Sequence, residues 1–267
     1  FIDTQSMVRP LGPQRETKPE DLEKRVEEAE LSSAYTAIDL SELHTETIPP
    51  VEWIVPGVIP KMNSIGLAGS SNVGKTRWLA ALTVGVASGR TDLLGFPKMD
   101  DPMPVFWLAN EERVDDIKRR IKAFARHYDV KFGVNIIVRG KDGGSLRLAG
   151  VNEVRTLEID EKNVAEIIAA IRSIDAALVI LDPYVTLAES AEENGSQAAE
   201  VLRKALNMVQ TMTNASTIFA HHTPKRDRSS KGDWYRGSLD SLRGSGAIGG
   251  ALDCSFTLAN WWPPGKN

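Results

Sequence analysis

Gly69-Ser70-Ser71-Asn72-Val73-Gly74-Lys75-Thr76 is a full match to G-x-x-x-x-G-K-[ST], and its reading decides the fold. Glycines at those two positions let successive backbone N–H groups turn inward around phosphates. Lys75 adds a mobile positive charge for the β- and γ-phosphates, and the Thr76 hydroxyl is of the type that ligates Mg²⁺. Ser64-Ile65-Gly66-Leu67-Ala68 reads as a buried strand running into the loop, and Arg77 to Ser88 as a helix leaving it. That order sets the phosphates at a helix N-terminus, where free amides and the dipole favour anions. The competing reading is a glycine-rich turn followed by a chance Lys-Thr, which the flanking strand and helix disfavour. The expected ligands are therefore ATP and Mg²⁺, with Gly69 to Thr76 and the adjacent Arg77 around the nucleotide.

Outward from the loop, Pro104 to Asn110 reads as a second buried strand with Glu111 and Glu112 at its C-terminal end. Open parallel sheets hold ligands at that edge, so a carboxylate there faces the nucleotide. Val114, Ile117, Ile121, Phe124 and Tyr128 recur at helical spacing, and the other face carries Lys118, Arg119, Arg120 and Lys122, either a solvated face or a binding one. Asn135 to Val138 is a short strand. Gly143-Gly144 with Leu146 and Leu148 predicts a turn and hairpin. Glu161 to Ile171 is the next amphipathic helix, feeding Ala177-Leu178-Val179-Ile180-Leu181-Asp182. An apolar strand closing on an aspartate, about a hundred residues beyond a phosphate loop, is a Walker B pattern whose carboxylate orders Mg²⁺. A helix N-cap is the other use of such an aspartate.

Glu189 to Gly195 is a polar loop, and Gln197 to Met212 a long helix with Val201, Ala205, Met208 and Met212 on one stripe; those methionines are expected in the core. Ser216 to Ala220 is a further buried strand that ends in His221-His222. Adjacent strand residues point to opposite faces, so the pair does not make a shared metal site; one of them is expected to face the nucleotide and sense its γ-phosphate. Lys225, Arg226, Arg228, Lys231 and Arg236 then interleave with Trp234-Tyr235, a pattern suited to single-stranded nucleic acid, against the alternative of a solvated loop. Asp253 to Leu258 reads as a last strand.

Composition bounds these readings. The chain has 267 residues and a formal charge of −4, so nucleic-acid contact must come from a local patch. Cys254 is the only cysteine, which excludes an internal disulfide framework and a cysteine-rich zinc site. No apolar run of about 18 residues and no secretion signal occur, so the expectation is a cytoplasmic protein without membrane contact. Residues 1–50, with Pro10, Pro13, Pro19 and the charged helical stretch Asp21 to Glu30, read as a loosely attached or subunit-docking arm before a core at 51–267 that opens with short extended segments over Trp53 to Pro60. The chain opens on Phe1 and stops soon after Trp261-Trp262-Pro263-Pro264, and is expected to be a portion of a longer product.

In sum of motifs, the chain resembles the RecA-like hexameric ATPases, most closely the RepA-like plasmid replicative helicases and more distantly the DnaB-like helicases. The carriers, within Trp53 to Asn260, are Gly69 to Thr76, Trp107 to Glu112, Leu178 to Asp182, Phe219 to His222 and Leu242 to Ile248. The resemblance implies an α/β fold, a RecA-like P-loop core with a mainly parallel central sheet flanked by helices, assembled as a homo-oligomeric ring, a hexamer. It implies that Glu111 activates the attacking water from the strand beside the phosphate loop, with Glu112 as backup. By the same resemblance His222 is the polar sensor, and Arg243 is the arginine offered to a neighbour's nucleotide. DnaB-like proteins place their trans-acting cations further along, which leaves a residue near or beyond Lys266 as the alternative finger. The function implied is a helicase or translocase driven by ATP on single-stranded DNA; the rival is a RecA-like regulatory ATPase whose nucleotide state controls a protein partner. A small-molecule kinase fits less well, since no acceptor lid is evident and the His-His element has no role in it.

Overall fold

The computed structural model describes residues 38–41, 43–153, 156–188, 196–222 and 252–258. The chain divides into two units, Phe1–Pro50 and Val51–Asn267. In the first, Asp39 Oδ1 accepts from the Ser41 N–H and hydroxyl at 2.8 and 2.6 Å, while Ile38, Leu40 and Ile48 stand exposed. Asp21 to Glu30, expected as a helix, lies outside the described residues.

The second unit opens with an antiparallel pair, β1 (Trp53–Val55) and β2 (Ile59–Pro60). There follow β3 (Ser64–Gly69), α1 (Lys75–Ser88), β4 (Val105–Ala109), α2 (Val114–His127), β5 (Ile136–Gly140), β6 (Ala149–Val151), β7 (Leu157–Ile159), α3 (Glu161–Ser173), β8 (Leu178–Asp182), α4 (Ser196–Thr213), β9 (Ser216–His222) and β10 (Cys254–Leu258). Six strands make one sheet in the order β10-β3-β9-β8-β4-β5, every neighbouring pair parallel. Helices cover both faces, as an all-parallel sheet requires. This is an α/β P-loop core with a parallel central sheet flanked by helices.

Strand parity sorts the two halves of the core. Ile65, Leu67, Val105, Trp107, Leu178, Ile180, Ile218 and Ala220 face α1 and α2. Their neighbours Phe106, Leu108, Val179, Leu181 and Phe219 face α3 and α4. Helix α1 has no charged residue after Arg77 and is buried nearly all round, from Leu79 to Ala87. Helix α2 buries only Ile117 and Ile121 and turns its cations outward. Two of those cations are paired within the chain, Arg119 with Asp116 and Arg120 with Glu112.

Two expectations are corrected. Met208 and Met212 are 38% and 45% exposed, not core; α4 buries Ala199, Leu202, Ala205, Leu206 and Val209 instead. Leu202, Leu206 and Val209 form the wider apolar stripe, and a flexible thioether tolerates the solvent side. The hairpin is also displaced. Lys141–Gly143 forms a single 3-10 turn and Leu146 and Leu148 are buried, while the antiparallel pair is β6 with β7. Among the described residues no helix is long and apolar enough to cross a membrane.

Candidate functional site

The C-terminal ends of β3, β9, β8 and β4 stand side by side, so the phosphate loop, His222, Asp182 and Asn110–Glu112 share one edge of the sheet. In register, Gly69 lies opposite His222, and Ala109 opposite Asp182. The strand carrying Glu111 is not beside the phosphate loop: β9 and β8 intervene. The pairing partners of β3 are both late in the chain, which local pattern does not reveal.

The loop bends at Asn72 and Gly74, whose φ values of 63° and 103° are both left-handed. At 103° only glycine is unstrained, so Gly74 is required by backbone conformation. Gly69 is required by space. A Cβ there would sit 2.8 Å from the Val73 side chain and 2.9 Å from the Leu258 carbonyl oxygen. Helix α1 starts without a side-chain cap or an acidic residue in its first turn, which leaves its first N–H groups directed at the loop's concavity. Ser70, Ser71, Asn72 and Arg77 are exposed at its mouth.

Lys75 is 6% exposed and its ammonium donates to Gly69 O at 2.8 Å, to Ser70 O at 3.0 Å and to His222 Nδ1 at 3.1 Å. An ammonium has three donors and no acceptor, so all three are used and Nδ1 is the accepting nitrogen. Burial lowers the Lys75 pKa, against the opposing pull of Asp182 and Glu111. His222 shares the α1 side of the sheet with Asp182, while its neighbour His221 faces the other way and packs edge-on against Tyr184 with ring centroids 6.0 Å apart. The divergence of the two histidines is therefore observed.

Asp182 is 8% exposed and takes a side-chain hydrogen bond from Thr76. Burial pushes its carboxyl up to about 6, the Thr76 bond pulls the other way, and Glu112 and Glu111 add to the upward push. A buried carboxylate under that load, bonded to the hydroxyl of the phosphate loop, is a donor set suited to a hard divalent cation. Thr76 and Asp182 fit Mg²⁺, and the loop fits a triphosphate.

Glu111 is exposed and lies within electrostatic reach of both Lys75 and Asp182. The Glu112 carboxylate is instead engaged by the Arg120 guanidinium. The main chain here is clamped by β5: Lys141 N–H donates to Glu112 O at 2.8 Å, and Asp142 Oδ1 accepts from Val114 N–H at 3.2 Å, capping α2 from outside the helix. Gly140 lies beneath this turn with φ −101°, a value any residue adopts. Its absent Cβ is what matters, since one would meet Asp142 Oδ1 and Val114 N at 2.6 Å and Glu112 O at 2.7 Å. Gly140→Ala is expected to destabilise the fold by about 1–3 kcal/mol through overpacking. The check is a lower urea midpoint at unchanged m-value, together with slower ATP turnover; an unchanged midpoint would show that the turn yields freely.

Residues 25–228 match the AAA domain. The chain belongs to this AAA-domain family. No curated protein sequence shows a significant match to it. Among solved structures, this AAA-domain chain is similar to a KaiC-like protein from the hyperthermophilic archaeon Pyrococcus horikoshii OT3, at 19% identity and a TM-score of 0.42, over 66% of this chain and 73% of that one. The family is one of P-loop nucleotide-binding proteins, in keeping with the loop and its surroundings.

Of the residues expected from sequence, the AAA domain thus gathers Gly69 to Arg77, Glu111, Asp182 and His222 at one edge. Lys225, Arg226, Arg228, Lys231, Arg236 and Arg243 lie outside the described residues, as does the polar loop 189–195. Asn110, Thr186, Gly140 and Asp142 were not singled out by sequence reasoning. Each acts through contacts with residues more than two dozen positions away, and an Asn ending a strand carries no local signature of that.

Proposed function

We propose that this chain is an ATP-hydrolysing ring motor acting on single-stranded DNA. The observation that carries the hydrolytic part is the convergence on one sheet edge of Lys75, the bonded pair Thr76 and Asp182, His222 and an exposed Glu111. In the reaction a water attacks the γ-phosphorus in line, the bond to the β–γ bridging oxygen breaks, and Glu111 accepts the water's proton. Lys75 exchanges its bonds to Gly69 O, Ser70 O and His222 for phosphate oxygens. His222, released from Lys75, is then placed to hydrogen-bond the γ-phosphate. Thr76 and Asp182 would hold Mg²⁺, which would supply neutralisation of the phosphate charge.

The ring and the DNA are supported by the resemblance to RepA-like and DnaB-like helicases and by the basic, aromatic-bearing stretch after His222. In a hexamer the nucleotide would sit between subunits, with Arg243 of one copy reaching the neighbour's phosphates.

Salt dependence tests the DNA part. If Lys225, Arg226, Arg228, Lys231 and Arg236 each contact a phosphate, the slope of log K against log salt is about −3.5, and binding of a single-stranded oligonucleotide weakens about 100-fold between 50 and 200 mM salt. ATP turnover should rise when the oligonucleotide is added. Absence of both binding and stimulation, with ATP turnover intact, would replace the motor by a regulatory ATPase acting on a protein partner, the reading that the net charge of −4 favours.

A further inference from the structure

We infer that Asn110 is a positioning residue for hydrolysis, tying the main chain that carries Glu111 to the segment that follows Asp182. The inference rests on the reading of Glu111 as the group that takes the water's proton. Asn110 is 6% exposed and, by strand parity, its side chain goes to the α3–α4 side, away from the nucleotide. Its N–H donates to Asp182 O at 3.0 Å. Its carboxamide closes a fork on one residue of the β5–β6 connection: Oδ1 accepts from Leu146 N–H at 3.2 Å and Nδ2 donates to Leu146 O at 2.9 Å. The second Nδ2 hydrogen goes to Thr186 Oγ1 at 3.1 Å, and that hydroxyl in turn donates to Pro183 O at 2.8 Å.

Every hydrogen of this carboxamide is therefore spent on backbone or on a hydroxyl that is itself oriented. The 3-10 turn Tyr184–Leu187 is held from the same side, since Leu148 N–H donates to Leu187 O at 2.7 Å and Tyr184 and Leu187 are buried with Leu146 and Leu148. The chain leaving Asp182 and the chain entering Glu111 consequently cannot shift independently. Only Asn satisfies the fork. Asp would set a carboxylate oxygen against Leu146 O, Ala leaves two buried backbone groups unpaired, and Gln is too long by one methylene.

The test compares wild type, Asn110→Ala, Thr186→Val and Glu111→Gln, and Asn110→Ala combined with Glu111→Gln. Steady-state and single-turnover ATP hydrolysis are read beside direct titration of a fluorescent ADP analogue. Expected are a fall in kcat on the order of 10- to 100-fold for Asn110→Ala and of a few-fold to 10-fold for Thr186→Val, because small misplacement of a reacting group is costly. Analogue affinity should stay within about 2-fold in both. In the Glu111→Gln background, Asn110→Ala should cost nothing more. Wild-type kcat in Thr186→Val together with Asn110→Ala would overturn the inference, as would affinity falling in step with kcat or a full loss persisting without Glu111. Where Asn110→Ala does not fold, Thr186→Val decides. Wild-type turnover by Glu111→Gln itself would be a separate result, overturning the reading of Glu111 and the inference with it.

Discussion

Glu111→Gln is expected to lower ATP turnover on the order of 10²–10⁴-fold while leaving nucleotide binding intact, the loss typical of removing a general base. The glutamine keeps the size and can still orient a water, but it cannot take a proton. Two carboxylates compete for the role by position, and their contacts separate them. Glu112 is engaged by Arg120, whereas Glu111 is exposed and in the field of Lys75 and Asp182. Glu112→Gln should therefore act mainly on the start of α2 and cost far less turnover. Steady-state ATPase with and without single-stranded DNA, beside nucleotide titration, checks both. A Glu111→Gln protein that hydrolyses at the wild-type rate while Glu112→Gln does not would reverse the assignment. If DNA stimulates the wild type and the stimulated rate vanishes in Glu111→Gln, a DNA-driven motor with this base is supported.

Asp182→Asn is expected to do two opposite things, abolishing Mg²⁺-dependent turnover and stabilising the fold. The Asp182 carboxyl is pushed up to about 6 by burial, against an ordinary value of 3.8. Between those values the folded chain holds a proton that the unfolded chain has lost, so stability falls as pH rises through the window and stays low above it. At pH 8, in the absence of divalent cations and nucleotide, the ionised carboxylate costs about 3 kcal/mol, at about 1.4 kcal/mol per pH unit. Asparagine removes that charge and keeps an oxygen for the Thr76 hydroxyl. Urea denaturation in chelator should show the variant more stable than wild type at pH 8, the gap closing towards pH 4. A gap of equal size at both pH values would mean that charge burial is not its origin. The loss of turnover follows from losing the anionic partner of a cation worth several kcal/mol of transition-state charge stabilisation.

Much of this site is written in short stretches of chain. The phosphate loop, the apolar strand closing on Asp182 and the His-His ending of β9 each carry their own local signal, and alternation within a strand predicted that His221 and His222 diverge. The placement of Glu111 was legible as the end of a strand and no further. That two strands separate it from the loop depends on pairing between residues 64–69 and 216–222, a contact no periodicity encodes. The methionines of α4 show the same limit in reverse, since Met208 and Met212 share a helical stripe with the buried Ala205 yet stand 38% and 45% exposed. A competing stripe of Leu202, Leu206 and Val209 won the core, because branched aliphatic side chains fill a fixed space better than a flexible thioether.

By itself the sequence determined that a strand, a glycine loop and a helix follow one another across Gly69 to Thr76, the arrangement proposed to hold a triphosphate. It also determined that the surrounding strands are buried on both faces, because those properties depend on residues within one turn or one strand of each other. Only the tertiary structure decided which strand ends meet at the loop, that Lys75 spends its three donors on Gly69, Ser70 and His222, and that Asp182 answers to Thr76. It alone decided that Asn110 locks the chain beside Glu111 to the chain beyond Asp182. Apart from the two loop carbonyls that lie six and five residues from Lys75, those facts rest on hydrogen bonds between groups from 36 to 147 residues apart, whose distance and direction exist only once the sheet has brought them together.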